Sequence, residues 1–481
     1  MHLTVILRIT GTLLTLFSFS FLLPTAVALF FAESTHTTFF AAFAITLVSG
    51  LILWLPLRGK RELRGGDGFL VTALFYLGLG MFGAIPFWLA ESLQLSFTDA
   101  VFESISGLTT TGATTIVGLD SLPKSLLIYR QMLQWMGGMG IIVLAVAIYP
   151  MLGIGGMQLY RTESAGPMKD NKLTPRITET AKALWYLYIG LTAACALAYW
   201  LAGMNGFDAI AHSFSTVSIG GFSTHDTSMG YFDSGIIETV AIVFMTLSGI
   251  NFALHFLVWR RRNLLHYFQD IEVRVYLFVL ALVATIVCAI LWWHPSSSDE
   301  VLRDGIFQAV SITTTTGFTT SNFAAWPSVA PIILLFAAFA GGCAGSTAGG
   351  IKMIRVLMIY LQGMREVKRL IHPNGVFTIK LGRESVADRR VDAVWSFFSV
   401  YVFFFLLSVC TLMVLSDIDF ITAFSAVGAC LNNLGPGLGD VAANYNSISA
   451  EVKWVLMFNM VLGRLEIFTL LVLLTPAYWR R

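Results

Sequence analysis

The chain has 481 residues, 56% of them hydrophobic and 12% charged, with a formal net charge of +2. Soluble domains carry roughly 25% charged residues, so charge cannot cover this surface, and the mean hydropathy of +0.75 assigns most of the chain to lipid. The five cysteines, Cys195, Cys288, Cys343, Cys410 and Cys430, lie far apart inside apolar runs. That argues against a disulfide framework or a metal-ligand cluster and reads as small buried hydrophobes.

Residues 9–32 are apolar and free of charge. The run is too long for a signal-peptide core, lacks a small-residue cleavage site, and leads into a second apolar run at 37–57, so both read as spanning helices. Further spans are expected at 68–90, 131–160, 183–207, 239–259 (interrupted only by His255), 275–293, 324–351, 393–416 and 454–479, the last broken by Arg464 and Glu466. With both termini cytoplasmic and four short segments dipping in and returning, the basic clusters at 58–64, 161–182, 260–274, 352–390 and 480–481 all fall inside. Only Lys124, Arg303 and Lys453 fall outside, Arg130 and Arg464 sit within helices, and the outer face collects aspartates such as Asp99, Asp120, Asp208 and Asp233.

The dips lie at 99–118, 208–226, 304–323 and 419–439. Each is too polar to cross and too apolar for an ordinary loop, and each opens with a helix-like stretch and closes on a glycine motif: T-T-T-G-A, S-I-G-G-F, T-T-T-G-F and N-N-L-G-P. Asp99, Asp208 and Asp304 keep one spacing to Gly112, Gly221 and Gly317, as do Ser106, Ser215 and Ser311; the fourth copy fits with one residue inserted, pairing Ala426-Val427 with Ala309-Val310. A helix, a dip and a helix repeated four times is an internal repeat. The expected fold is therefore an all-α polytopic membrane protein. An accessory helix pair occupies 1–66, and repeats at 67–160, 161–270, 271–372 and 373–481 surround a pseudo-fourfold axis.

Irregular backbone at membrane depth is tolerated only where it is buried in protein or lines water. Four dips meeting on an axis can offer backbone carbonyls to a dehydrated monovalent cation, with threonine hydroxyls adding a rung, while glycine lets successive carbonyls turn the same way. The expected cation site comprises Thr110, Thr111 and Gly112; Ile219, Gly220 and Gly221; Thr315, Thr316 and Gly317; and Asn433, Leu434 and Gly435. The short helices point their negative ends at the cavity, and an acidic outer mouth would gather cations.

Two anomalies follow further along. Arg464 lies roughly 16 Å deep in the last helix, counting 1.5 Å per residue from Lys453, where an arginine is costly and a functional role is the default. The glycine-dense stretch G-G-C-A-G-S-T-A-G-G-I-K interrupts the second helix of the third repeat and fails the phosphate-loop spacing. It is expected to be a broken helix whose loop (Gly345, Ser346, Thr347, Ala348, Gly349, Gly350 and Lys352) plugs the path beside Arg464 as a gate; close packing through small residues is the plainer reading. Asn251 and His255 are expected to pack or line the vestibule, and Gly137-Gly138-Met139-Gly140 reads either as a hinge or as a tight crossing.

Together with G-R-L-E-I and the P-M-K-D-N-K-L-T-P-R-I-T-E-T-A-K segment, these motifs resemble the superfamily of potassium transporters almost end to end, and within it the bacterial TrkH-type uptake subunits. The resemblance implies potassium as the transported ion and residence in the bacterial inner membrane. It also implies a homodimer and a cytosolic ring of nucleotide-binding, TrkA-like regulatory subunits docking on the basic inner loops. The filter glycines carried over are Gly112, Gly221, Gly317 and Gly435, with Ala113 departing from the phenylalanine of the second and third copies. No enzymatic activity, organic cofactor or nucleic-acid partner is expected. Potassium uptake through a gated, channel-like path is the main reading. A primary pump lacks its catalytic motifs, and the alternative, a symporter coupled to sodium or protons, would be favoured by inverted repeats, whereas these repeats share one orientation.

Overall fold

Lipid offers backbone groups no hydrogen-bonding partner, so long apolar runs close their own bonds as helices. The computed structural model describes residues 3–55, 67–143, 177–294, 300–327, 329–382 and 384–480. Among these, the helices long and apolar enough to cross a membrane are Thr4–Phe30, His36–Trp54, Gly68–Leu89, Lys182–Leu201, Ile271–Trp292 and Asp388–Leu415. The only sheet among the described residues is the ribbon pairing Lys380–Leu381 with Glu384–Ser385. The basic residues at 58–64 and the 161–176 stretch lie outside the described residues.

Other expected spans depart from straight crossings. The 239–259 run is two helices, Gly235–Ser248 and Phe252–Arg261, bent by 95°. Glycine-dense backbone reaches across to satisfy the bend: Cys343 N donates to Gly249 O at 2.8 Å and Phe252 N donates to Gly345 O at 3.0 Å. Among its described residues the 324–351 run keeps only Ala330–Ala340 α-helical, and the last run breaks between Ala450–Arg464 and Glu466–Leu474. The helix entering the 131–160 run starts earlier, at Lys124, and is described to Val143. The cysteines are all free, but Cys410 is exposed and Cys288 half-buried, so only three of the five fit the buried expectation.

Four short helices, Phe97–Leu108, Gly206–Ser218, Val301–Thr313 and Phe420–Leu431, form the inner layer and are buried along their C-terminal halves. Three start at a side-chain cap: Ser96 Oγ accepts from Asp99 N, Asn205 Oδ1 from Asp208 N, and Asp419 Oδ2 from Ile421 N and Thr422 N. Ser96, Asn205 and Asp419 stand at the same spacing before Gly112, Gly221 and Gly435, so the fourth copy enters without the expected inserted residue. The cap sets the helix start, and the fourth copy places its acidic residue at the cap instead of in the first turn. Val427-Gly428 therefore stands opposite Ala309-Val310.

Candidate functional site

Each short helix ends in the same left-handed turn. Thr110, Ile219, Thr315 and Asn433 have φ of 54°, 55°, 65° and 54°, and two residues on Gly112, Gly221, Gly317 and Gly435 have φ of 81°, 80°, 82° and 97°. The amide between them reaches back to close the helix end: Thr111 N to Ser106 O, Gly220 N to Ser215 O, Thr316 N to Ser311 O and Leu434 N to Ala429 O, each at 2.8 Å. Four unequal sequences thus produce one backbone shape.

The turns also interlock. A Cβ on Gly112 would collide with the carbonyl oxygen of Gly220, one on Gly221 with that of Thr316, and one on Gly317 with that of Leu434. A Cβ on Gly435 would lie 2.7 Å from Thr111 O. The contacts run from first copy to second, third, fourth and back to the first, so the four turns form a closed ring. Glycine is required there twice over, by its positive φ and by the absence of room.

The hydroxyls of these turns are hydrogen-bonded within the protein. Thr109 and Thr111 bond each other at 2.7 Å, as do Thr314 and Thr316. Thr315 Oγ1 accepts from Gly349 N at 2.7 Å, and Thr111 Oγ1 also accepts from Asn433 Nδ2 at 3.1 Å.

Side chains that the sequence reading assigned no role brace the ring from behind. Gln134 Nε2 donates to Gly220 O at 2.5 Å while its Oε1 accepts from Phe222 N at 3.0 Å. Arg130, 1% exposed, pairs with the buried Glu103 at 2.7 Å and donates to Ser223 O at 2.9 Å, its guanidinium 4.2 Å over the Phe222 ring. Glu103 in turn accepts from Thr115 N at 3.0 Å. The signal available for this brace was a charge inside each of two apolar helices. Tyr445 Oη donates to Gly435 O at 2.8 Å, so the four quarters are supported unequally.

The glycine-dense loop lies against the inner side of these turns. Thr347 Oγ1 donates to Val217 O at 3.0 Å, Gly349 N to the Thr315 hydroxyl, and Gly350 N to Asn432 O at 3.0 Å. Gly345 O accepts from Phe252 N, Ser346 Oγ donates to Cys343 O, and Lys352 Nζ donates to Ala348 O. Arg464, 5% exposed, donates from Nη1 to Thr347 O at 3.0 Å and from Nη2 to Gly137 O at 3.4 Å. The loop thus meets the second, third and fourth copies directly, and Arg464 links it to the first. Gly137 and Gly138 form a tight crossing, since a Cβ on Gly137 would collide with Leu108 O and one on Gly138 would come within 2.8 Å of Ser218 Cβ. Asn251 caps the Phe252–Arg261 helix through Ala253 N, and His255 bridges Tyr267 Oη and Leu247 O, which is packing.

At the outer side most of the named acids are already paired. Asp99 meets Lys453 at 2.6 Å, Arg303 meets Asp233 at 2.6 Å and Glu238 at 2.9 Å, and His225 meets Asp120 at 2.5 Å and Asp208 at 3.3 Å. All but the His225–Asp208 contact, which lies within the second copy, join neighbouring copies, and this narrows the expected role of the acids as a cation-gathering mouth.

Comparison with known proteins gives three concordant results. A family model described as TrkH, cation transport protein, matches residues 35–481. The Trk system potassium uptake protein TrkH of Halomonas elongata is 54% identical over 483 residues, and that of Escherichia coli K12 is 53% identical over 483 residues, each alignment covering 100% of both chains. The crystal structure of the potassium transporter TrkH from Vibrio parahaemolyticus superposes with a TM-score of 0.91 at 52% identity, again covering 100% of both chains.

Proposed function

We propose, since this chain belongs to the TrkH family of cation transport proteins, that it takes up potassium by channel-like permeation through the ring of four turns. The observation that carries this reading is the closed contact order of the glycines, in which each Cα abuts the carbonyl of the next copy. Such an arrangement replaces a cation's water shell with backbone oxygens, and cation binding must stay weak enough for the ion to leave. The unequal supports behind Gly220 and Gly435 argue for looser discrimination between potassium and sodium than four identical quarters would give.

The loop from Gly345 to Lys352 is the gate in this reading, and Arg464 is its fixed positive charge. A buried cation beside the path opposes the entry of another through direct Coulomb repulsion, which a low-dielectric surrounding strengthens. The protein works as a homodimer in the bacterial inner membrane with cytoplasmic termini, and a cytosolic nucleotide-binding ring acts on the loop through the basic inner segments. The word "system" in the relatives' names supports partner subunits.

The test is rubidium uptake into proteoliposomes under a controlled potential with sodium as competitor, beside single-channel recording. Unitary currents far above a carrier's turnover are expected. Uptake that ignores the potential and saturates at carrier rates would exclude permeation of this kind. Gly317→Ser, which places a side chain at φ 82° against Leu434 O, should abolish selective uptake while the protein still purifies as a folded species.

A further inference from the structure

Three of the four turns carry a side chain just ahead of the central glycine, and the second does not. Thr111 and Thr316 each bond a threonine two residues back at 2.7 Å, and Leu434 is buried, whereas the second copy has Gly220 in that place. Backbone conformation does not demand this glycine: Gly221 has φ of 80°, but Gly220 is not among the residues with positive φ. Lack of space demands it. A Cβ on Gly220 would collide with Cδ and Oε1 of Gln134. A glutamine from the second helix of the first repeat therefore fills the room that a side chain of the second copy would take.

Backbone partners fix which end of that amide is which. A carbonyl only accepts and a peptide N–H only donates, so Nε2 faces Gly220 O at 2.5 Å and Oε1 faces Phe222 N at 3.0 Å. Gln134 is fully buried and lies one helical turn after Arg130, which holds Ser223 O. One face of the Lys124–Val143 helix thus grips residues 220–223 of the neighbouring repeat. A shift of the turn would strand both ends of the amide, and an unsatisfied buried polar group is costly. Gly220 O is also the oxygen against which Gly112 closes, so the amide acts at the seam between the first and second quarters.

We infer that Gln134 is the positioning residue of the second quarter: its amide stands in for the side chain missing at Gly220, tethers the Gly220 carbonyl, and through it sets the ion preference of the ring. Sodium is smaller than potassium, and a ring of carbonyls replaces its water shell only by closing in. A carbonyl already held by a hydrogen bond from behind resists that movement, so the tether keeps the ring at the wider spacing that suits potassium. The stand-in rests on the packing of Gln134 against Gly220 alone; its effect on ion preference rests on the reading of the four turns as the permeation path.

The experiment has two arms, both with the full-length protein. In thermal melts, Gly220→Thr should lower the melting temperature by driving a side chain into the amide. Gln134→Ala combined with Gly220→Thr should recover most of that loss, because the introduced hydroxyl then meets Ser218 as Thr111 meets Thr109. Losses that simply add in the double variant overturn the stand-in. In proteoliposomes under a controlled potential, Gln134→Leu should lower the ratio of rubidium to sodium flux several-fold through a rise in sodium flux. The double variant refills the space but leaves Gly220 O untethered, so it should conduct with a similarly lowered ratio, and it carries the test if Gln134→Leu does not fold. A wild-type ratio in the variants that fold overturns the specificity role. Carrier-like uptake by the wild type itself overturns the permeation reading instead, and the melts still decide the stand-in.

Discussion

At Arg464 a cation is held in place by two carbonyls, one from the loop and one from the first copy's second helix. Removing it takes away both the positive charge and the strut, so Arg464→Ala is expected to raise basal rubidium leak several-fold in liposomes lacking any partner; an unchanged flux would count against the electrostatic barrier. His225 lies in the loop that follows the second copy's turn. It lies between Asp120 and Asp208 and stacks on Tyr231 at 3.4 Å between ring centroids, with His212 and Phe232 as its other ring neighbours. Burial alone would depress its pKa, but the hydrogen bonds to Asp208 and Asp120 outweigh burial and raise it above the usual value. A group whose folded pKa is raised contributes stability below its unfolded value of about 6.5 and loses it as pH rises through the folded value. Thermal melting of the purified protein should therefore fall across that interval, and His225→Gln should flatten the fall. Arg464 was legible from the sequence because a charge deep in an apolar run is costly. Gln134 was not, because its partners Gly220 and Phe222 lie far along the chain and an amide inside a helix carries no periodic signal.

Among the elements, the broken helix of the third repeat shows how glycine converts an apolar segment into a loop packed against the four turns. Gly349 packs so closely on Asn432 O that a Cβ would collide with it, while its amide holds the Thr315 hydroxyl. Gly349→Val should push the loop off the turns and increase basal rubidium flux several-fold, read in the same liposomes, without loss of the folded species. The four dips were legible because glycine after a hydroxyl-rich or amide-rich run, following a short amphipathic stretch, is a local signal. The register of the fourth copy is misleading in the sequence because Ala426-Val427 repeats the residue types of Ala309-Val310, whereas the cap that Asp419 shares with Ser96 and Asn205 sets Val427-Gly428 opposite that pair. The 95° bend at residues 249–251 escaped notice because its stabilising partners, Cys343 and Gly345, come from another repeat. Apolar composition reports that a segment enters lipid; it does not report whether the segment leaves by the far side.

Across the whole molecule, charged side chains stitch neighbouring repeats: Arg130, paired with Glu103 of its own repeat, reaches the Ser223 carbonyl of the next, Arg303 pairs with Glu238 and Asp233, and Lys453 with Asp99. The first of these is fully buried, and breaking such a pair by removing one partner costs about 3–5 kcal/mol. Arg130→Met should lower the melting temperature accordingly and weaken discrimination against sodium, and Arg130→Met combined with Glu103→Leu should recover stability without recovering selectivity. Recovery of both would assign the pair to scaffolding alone. The four short helices with their glycine turns were readable from the sequence, whereas these stitches depend on which copies touch, and that follows only from closing the ring. Closure within one polypeptide has a genetic consequence. In a tetramer of identical subunits one altered codon changes all four quarters of the ring at once, and a damaging change is struck four times. Here each codon edits a single quarter. On the reading proposed above, ion preference drifts in small heritable steps, one wall at a time, while the other three walls stay as they were.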